Sequence, residues 1–398
     1  MRILQVSAEI FPLLKTGGLA DIAGALPAAL QEAGCDVRVM LPGFPAICAG
    51  LDGAVPVGSF AMPWGERVEV VYGTLPALAR EGRTLGAYVL IAPGLYDRPG
   101  NPYEDANKQA YGDNHRRFAA LGLAAAHVAH GLDAQWRPQL VHSHDWHAAL
   151  APASLALWNE GRGPHVPSVY TVHNLAYQGV FGPEHFGDLG LPGRAFHVHG
   201  MEFHGQLSFM KAGLFYANHV TTVSPTYAHE IQGPEQGCGL DGLLRARHQH
   251  LSGILNAVDD TVWNPATDTL IAHRFDARHM AGKAQSKAAL QAEMGLALEP
   301  DAPLFAVVSR LTEQKGLPLV LAAVDEIVSR GGQLLVLGSG ETWLEQAFVA
   351  QARDHAGRVA VKLGYDEAFA HRIFAGSDVT LVPSRFEPCG LTQMYGLK

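Results

Sequence analysis

Short apolar runs alternate with helical periodicity along the whole chain. Residues 3–6 read as a buried parallel strand, and Leu19, Ile22, Ala23, Leu26 and Leu30 then recur at helical spacing. Gly34 closes that helix, and residues 37–41 form the next strand, so the chain opens as a βαβ unit with a long first loop. Further strands are predicted at 68–72, 87–91, 140–142, 168–172, 219–223 and 251–255, with helices at 114–130, 148–158 and 203–217. An Asp/Asn/Pro-rich stretch up to Asp268 reads as a crossing between domains, followed by a helix at 283–294. A fresh α/β run follows, with strands at 305–309, 333–337, 359–363 and 379–382 and a helix ending at Ser329. Alternation of this kind predicts α/β architecture, and a length of 398 residues suits two domains.

Composition narrows the function classes. Hydrophobic residues make up 48% and charged residues 17%, which permits sizeable cores. The net charge of −9 comes with no basic block, which argues against non-specific nucleic-acid binding, so an anionic ligand must be held by local cations. Cys35, Cys48, Cys238 and Cys389 form no C-x-x-C pair, and neither a disulfide framework nor a zinc knuckle is expected. No run of 18 apolar residues and no leader peptide is seen, so a cytoplasmic protein without a membrane partner is expected.

Polar clusters follow the predicted strand ends, where open α/β sheets place ligands. In the first loop, Gly17 and Gly18 let backbone N–H groups approach a ligand, and Lys15 adds a charge beside a helix N-terminus. The alternative is an ordinary turn with a solvated lysine. The loop at 93–103 holds Tyr96, Asp97, Arg98 and Asn101. His142-Ser-His144-Asp145-Trp146-His147 reads as polar ligands facing a cleft, as packed core histidines, or as a metallo-hydrolase site. The metal pattern wants an acid where Trp146 stands. His197, His199 and His204 suit a surface or an acceptor groove better than a metal.

In the second half, Arg310 and Lys315 lie five residues apart in a Gly-containing turn. A guanidinium and a mobile ammonium suit a diphosphate leaving group, although a salt-bridged loop fits the same spacing. Glu387 precedes Gly390-Leu391-Thr392 at a predicted helix start. It could hold sugar hydroxyls while the N–H groups face an anion, or merely complement the helix dipole.

Taken together the motifs are far more specific. Lys15-Thr-Gly-Gly-Leu-Ala-Asp21, the His142–His147 run, Thr171-Val-His-Asn174, Thr222-Val-Ser-Pro-Thr-Tyr227, Gly253-Ile-Leu-Asn256, Ser309-Arg-Leu-Thr-Glu-Gln-Lys-Gly316 and the stretch 383–396 occur in this order. The chain resembles bacterial glycogen synthases and plant starch synthases, the ADP-glucose-using glycosyltransferases, over essentially its full length. The wider pattern of this fold has a second Glu eight residues after the first; Tyr395 stands there, as in glycogen synthases of this type.

The resemblance implies a GT-B fold, two Rossmann-like doubly wound domains facing a cleft, at 1–252 and 253–398. It implies transfer of glucose from ADP-glucose to the non-reducing end of an α-1,4-glucan such as glycogen, with configuration retained and neither metal nor cofactor. Lys15, Gly18 and Asp21 would lie by the donor diphosphate and glucose. Asp145 and Asn256 would contact the donor or order the cleft, and His173, next to Asn174, would face the sugar near the reacting carbon. Arg310 and Lys315 would stabilise the departing ADP. Glu387 would bind glucose, with Cys389, Gly390, Leu391 and Thr392 around it, and Tyr96 and Tyr365 would flank the donor. The family continues past the position of Lys398, which implies an incomplete second domain and, as the alternative, a chain that binds nucleotide or glucan without efficient turnover.

Overall fold

In the computed structural model, which describes residues 1–158 and 165–398, the apolar run at the N-terminus becomes the central strand of a large sheet. The chain divides into two units, Met1–Leu255 and Asn256–Lys398. In the first unit the strands are β1 (Arg2–Val6), β2 (Asp36–Pro42), β3 (Asp52–Ala61), β4 (Arg67–Arg80), β5 (Arg83–Ile91), β6 (Leu140–His144) and β7 (Ser168–Val172). Short strands β8 (Val180–Phe181), β9 (Glu202–Phe203) and β10 (Gln206–Ser208) precede β11 (His219–Thr222) and β12 (Leu251–Gly253). Nine of them form one sheet in the order β12-β11-β7-β6-β1-β2-β5-β4-β3.

From β12 to β5 every pairing is parallel. Helices cover both faces of such strands, so their side chains are buried on both sides and the sequence reads as continuous apolar runs. Ile3, Leu4 and Val6 in β1, and Val39, Met40 and Leu41 in β2, are at most 2% exposed. The Ala-rich helix Asn114–Ala129 is buried along nearly its whole surface.

At the far edge β4 runs antiparallel to both β5 and β3. β3 lies outside the sequence expectation. As an edge strand it exposes its first five residues, carries Pro56, and pairs through two register shifts, so it shows no apolar alternation. The helix expected over 203–217 is also corrected. Its first residues form the β9–β10 hairpin, because His204 and Gly205 adopt φ of 51° and 80°. The helix starts only at Phe209, where the Ser208 hydroxyl accepts from the Lys211 N–H at 3.1 Å.

The second unit holds β13 (Leu304–Val308), β14 (Gln333–Gly338), β15 (Val359–Leu363) and β16 (Val379–Thr380), all parallel, in the order β15-β14-β13-β16. Strand alternation sorts its core onto two faces. Leu304, Ala306, Leu335 and Leu337 pack with Trp263, Leu290, Phe369 and Ile373. Val307, Leu334 and Val336 pack with Leu317, Val320, Leu344 and Phe348. Among the described residues, no helix of either unit is long and apolar enough to cross a membrane.

The helix that follows the first loop, Gly18–Glu32, packs tightly against that loop at one point. A Cβ on Gly24 would sit 2.3 Å from the Phe11 carbonyl oxygen, whereas one on Gly17, whose φ is −165°, would meet nothing within 4 Å. Gly24→Ala should therefore destabilise the protein by ~1–3 kcal/mol, despite alanine's higher helix propensity. Gly17→Ala should stay within about 0.5 kcal/mol of the parent. Melting temperatures of the two variants check this, and equal melting temperatures would contradict it.

Candidate active site

The large sheet of each unit has a point where neighbouring loops leave in opposite directions, and an open α/β sheet forms its binding crevice there, beyond the carboxyl ends of the strands. In the first unit that point lies between β1 and β6, because β1 is flanked by β2 on one side and β6 on the other. The loop after β1 runs through Glu9, Lys15 and Gly17. Lys15 Nζ pairs with Asp21 in the first turn of the helix at 2.7 Å, both side chains being largely buried. Gly17 is extended and faces open space, so neither backbone conformation nor packing demands glycine there. That leaves room for a ligand at the helix N-terminus.

Glu9 is 2% exposed. Its carboxylate accepts from the Thr16 N–H at 2.5 Å, from the Thr16 hydroxyl at 2.6 Å and from the Tyr103 hydroxyl. Burial raises its pKa above the ordinary value, against the opposing pull of these bonds.

Asp145 follows β6 directly. Its φ of 56° is a left-handed conformation that Asp tolerates better than most residues. Its carboxylate accepts from the backbone N–H groups of His173 at 2.9 Å and Asn174 at 3.4 Å, which ties the ends of β6 and β7 together. Burial pushes its pKa up to about 7, with the two N–H bonds acting against the rise. His144 Nδ1 lies 3.0 Å from His173 Nε2, and His142 Nε2 lies 2.7 Å from the Thr171 hydroxyl. Burial lowers His142 to about 4 and His173 to about 3, and holds His144 and His147 well below the usual range. These imidazoles are neutral at pH 7, suited to hydrogen bonding rather than to supplying charge.

The metal reading of the His142–His147 run is not what the structure builds. Among the described residues the grouping able to converge on an ion is His115, His185 and Asp188. There the Asp188 carboxylate is already engaged by Arg116 at 2.8 Å and by His115 at 3.0 Å. Tyr96 also departs from expectation. It is 1% exposed, sits edge-on to Phe44, and donates its hydroxyl to the Arg117 carbonyl at 2.7 Å. It is packed into the core and presents no face to a ligand. His197 and His199 are exposed, with His197 Nδ1 accepting from the His199 N–H at 3.2 Å.

In the second unit the corresponding point lies between β13 and β16. Arg310 and Lys315 follow β13, and Glu387 follows β16. Lys315 Nζ meets Glu387 Oε1 at 2.5 Å, and the Ser384 hydroxyl donates to the same oxygen at 2.6 Å. Gly316 makes this approach possible. Its φ is 71°, and a Cβ there would lie 1.9 Å from the Pro383 carbonyl oxygen. The Arg385 N–H donates to the Gln314 carbonyl at 2.9 Å, a second tie between the two loops. Arg310 is exposed at the sheet's carboxyl edge.

Asn256 hydrogen-bonds Cys389, whose thiol burial pushes up in pKa. Gly390, at φ 84°, precedes the helix Leu391–Leu397. The Thr392 hydroxyl is directed to the Val308 carbonyl at 3.4 Å. Tyr365 follows β15 and is 55% exposed. A partly buried carboxylate–cation pair, with an exposed guanidinium on the same loop as its lysine, offers both an anchor for hydroxyls and positive charge for a diphosphate.

Glu9 and Tyr103 were missed by sequence reasoning as site residues. A lone acid in a loop and a tyrosine 94 residues later carry no pattern that joins them.

Two Rossmann-like doubly wound units with polar loops gathered at their switch points define the GT-B class. The family model described as "Starch synthase catalytic domain" matches residues 2–246. Glycogen synthase from Variovorax paradoxus is 63% identical over 402 residues, spanning all of this chain and 81% of the relative. Glycogen synthase from Leptothrix cholodnii is 60% identical over 403 residues, spanning all of this chain and 82% of the relative. The catalytic domain of starch synthase IV from Arabidopsis thaliana, solved bound to ADP and acarbose, superposes with a TM-score of 0.87 at 30% identity, covering 99% of this chain and 80% of that one. The chain belongs to the glycogen and starch synthase family.

The buried groups set a pH dependence. Four histidines have folded pKa values below the unfolded value of about 6.5, so stability they contribute at neutral pH is lost as pH falls below that value. Asp145 and Glu9 are raised and act in the opposite sense, losing stability as pH rises from about 4. With four groups against two, the denaturation midpoint should be lower at pH 5 than at pH 7. An equal or higher midpoint at pH 5 would contradict this reading.

Proposed function

We propose that the chain transfers glucose from ADP-glucose to the non-reducing end of an α-1,4-glucan such as glycogen, with retention at the anomeric carbon. The observation that carries this reading is the Lys315–Glu387 pair at the second unit's switch point. It occurs in a chain that aligns over its full length with glycogen synthases. In the reaction the bond from C1 to the diphosphate oxygen breaks, the bond from C1 to the glucan O4 forms, and the O4 proton is released.

Lys315 and Arg310 stabilise the charge that grows on the departing ADP, a task for preorganised cations in place of a metal. Glu387 holds glucose hydroxyls while pinning Lys315, and Cys389, Gly390, Leu391 and Thr392 shape the sugar pocket with Asn256. Tyr365, the exposed aromatic of the same edge, lies against the donor. In the first unit, Lys15, Gly18 and Asp21 meet the donor's diphosphate and glucose. Asp145 orders the strand ends so that the neutral His173 and Asn174 face the sugar. Catalysis is then positioning plus charge stabilisation.

ADP release from ADP-glucose is the test. Release should depend on glycogen and persist in the presence of EDTA. Lys315→Ala and Glu387→Ala should each lower kcat by roughly 10²–10³-fold. ADP binding without glycogen-dependent release would instead favour a binding protein, and unchanged kinetics in Lys315→Ala would remove its assigned role.

A further inference from the structure

Glu9 is a buried acid with no part in the chemistry assigned so far, and its surroundings give it a task. Its carboxylate collects the Thr16 N–H at 2.5 Å, the Thr16 hydroxyl at 2.6 Å, the Gly17 N–H, and the hydroxyl of Tyr103 from a separate loop. Tyr103 is itself anchored. Its N–H donates to Asn101 Oδ1 at 2.8 Å, its carbonyl accepts from Asn114 Nδ2 at 2.9 Å, and its ring stacks on His147 with centroids 4.6 Å apart. His147 lies two residues beyond Asp145, in the same short helix. The Tyr103–Glu9 contact therefore joins the loop after β1 to the turn after β6, the two sides of the first unit's switch point.

We propose that Glu9 and Tyr103 are positioning residues that hold the Lys15–Gly18 loop in its ligand-ready form, and that Glu9 does so as a hydrogen-bond acceptor rather than as a negative charge. The donors facing Glu9 differ in kind. The N–H groups of Thr16, on Oε2, and of Gly17 are fixed by the backbone and demand an acceptor. The Thr16 and Tyr103 hydroxyls on Oε1 can rotate and accept as well as donate. Glutamine satisfies this set, with its carbonyl oxygen in the place of Oε2 and its amide donating to the hydroxyls. Alanine leaves buried donors unmet. Burial, which raises the Glu9 pKa, likewise favours an uncharged group at this position.

The kinetic part of the test rests on the reading that this loop meets the donor, so a second readout is independent of it. Backbone hydrogen exchange at residues 15–18 and steady-state kinetics are measured on the full chain for Glu9→Ala, Glu9→Gln and Tyr103→Phe. Glu9→Ala should speed exchange in the loop and raise KM for ADP-glucose roughly 10- to 100-fold, with a smaller change in KM for glycogen. Glu9→Gln should restore both to near the parent values. Tyr103→Phe, which keeps the ring stack, should speed exchange in the same loop and serves if Glu9→Ala does not fold.

Exchange unchanged in Glu9→Ala, or in Tyr103→Phe where that variant stands in, overturns the proposal. So does a Glu9→Gln variant as impaired as Glu9→Ala, since the charge itself would then be needed. Faster exchange with an unchanged KM for ADP-glucose leaves the positioning role intact and removes the donor contact assigned to the loop.

Discussion

A parallel strand flanked by neighbours whose connections leave in opposite directions cannot cover the crevice at its carboxyl end. Both units are built around that constraint. In the first, β1 lies between β2 and β6, and in the second, β13 lies between β14 and β16. The loops holding Glu9 and Lys15, Asp145, Arg310 and Lys315, and Glu387 emerge beside such an end, because the parallel strands themselves are buried on both faces. The loops can bend sharply there. Asp145 takes a left-handed conformation, and Gly316 brings its backbone against Pro383.

The two units handle polarity differently. Beside the Lys15–Asp21 ion pair, the first keeps a buried cluster of neutral histidines in contact with one another and with the Thr171 hydroxyl, and acids whose pKa values are raised by burial. Such a site responds to acid. The second keeps a charged pair, Lys315 with Glu387, on loops tied to each other by backbone contacts. A diphosphate needs positive charge near its oxygens, and a sugar needs fixed hydrogen-bonding groups.

How much was legible beforehand follows from the same physics. The parallel strands were readable because double-sided burial leaves continuous apolar runs. β3 was not, since an edge strand with Pro56 and five exposed residues has no core face to betray it. The β9–β10 hairpin was hidden inside a run with helical character, because only the two positive φ angles at His204 and Gly205 break it. Lys315 and Glu387 were each visible as polar residues past a strand, but their pairing across 72 positions is a product of strand order. Tyr96, which the family resemblance places beside the donor, instead turns inward, where its hydroxyl finds the Arg117 carbonyl, and nothing in its own loop signals that burial. Glu9 needed Tyr103, and nothing local connects them.

The central claim is glucosyl transfer with retention, and the linkage formed reports on it directly. Proton NMR of glycogen incubated with ADP-glucose and the chain should show α-1,4-linked anomeric signal growing in step with ADP. Free glucose, or a β-linked anomeric signal, would contradict the account.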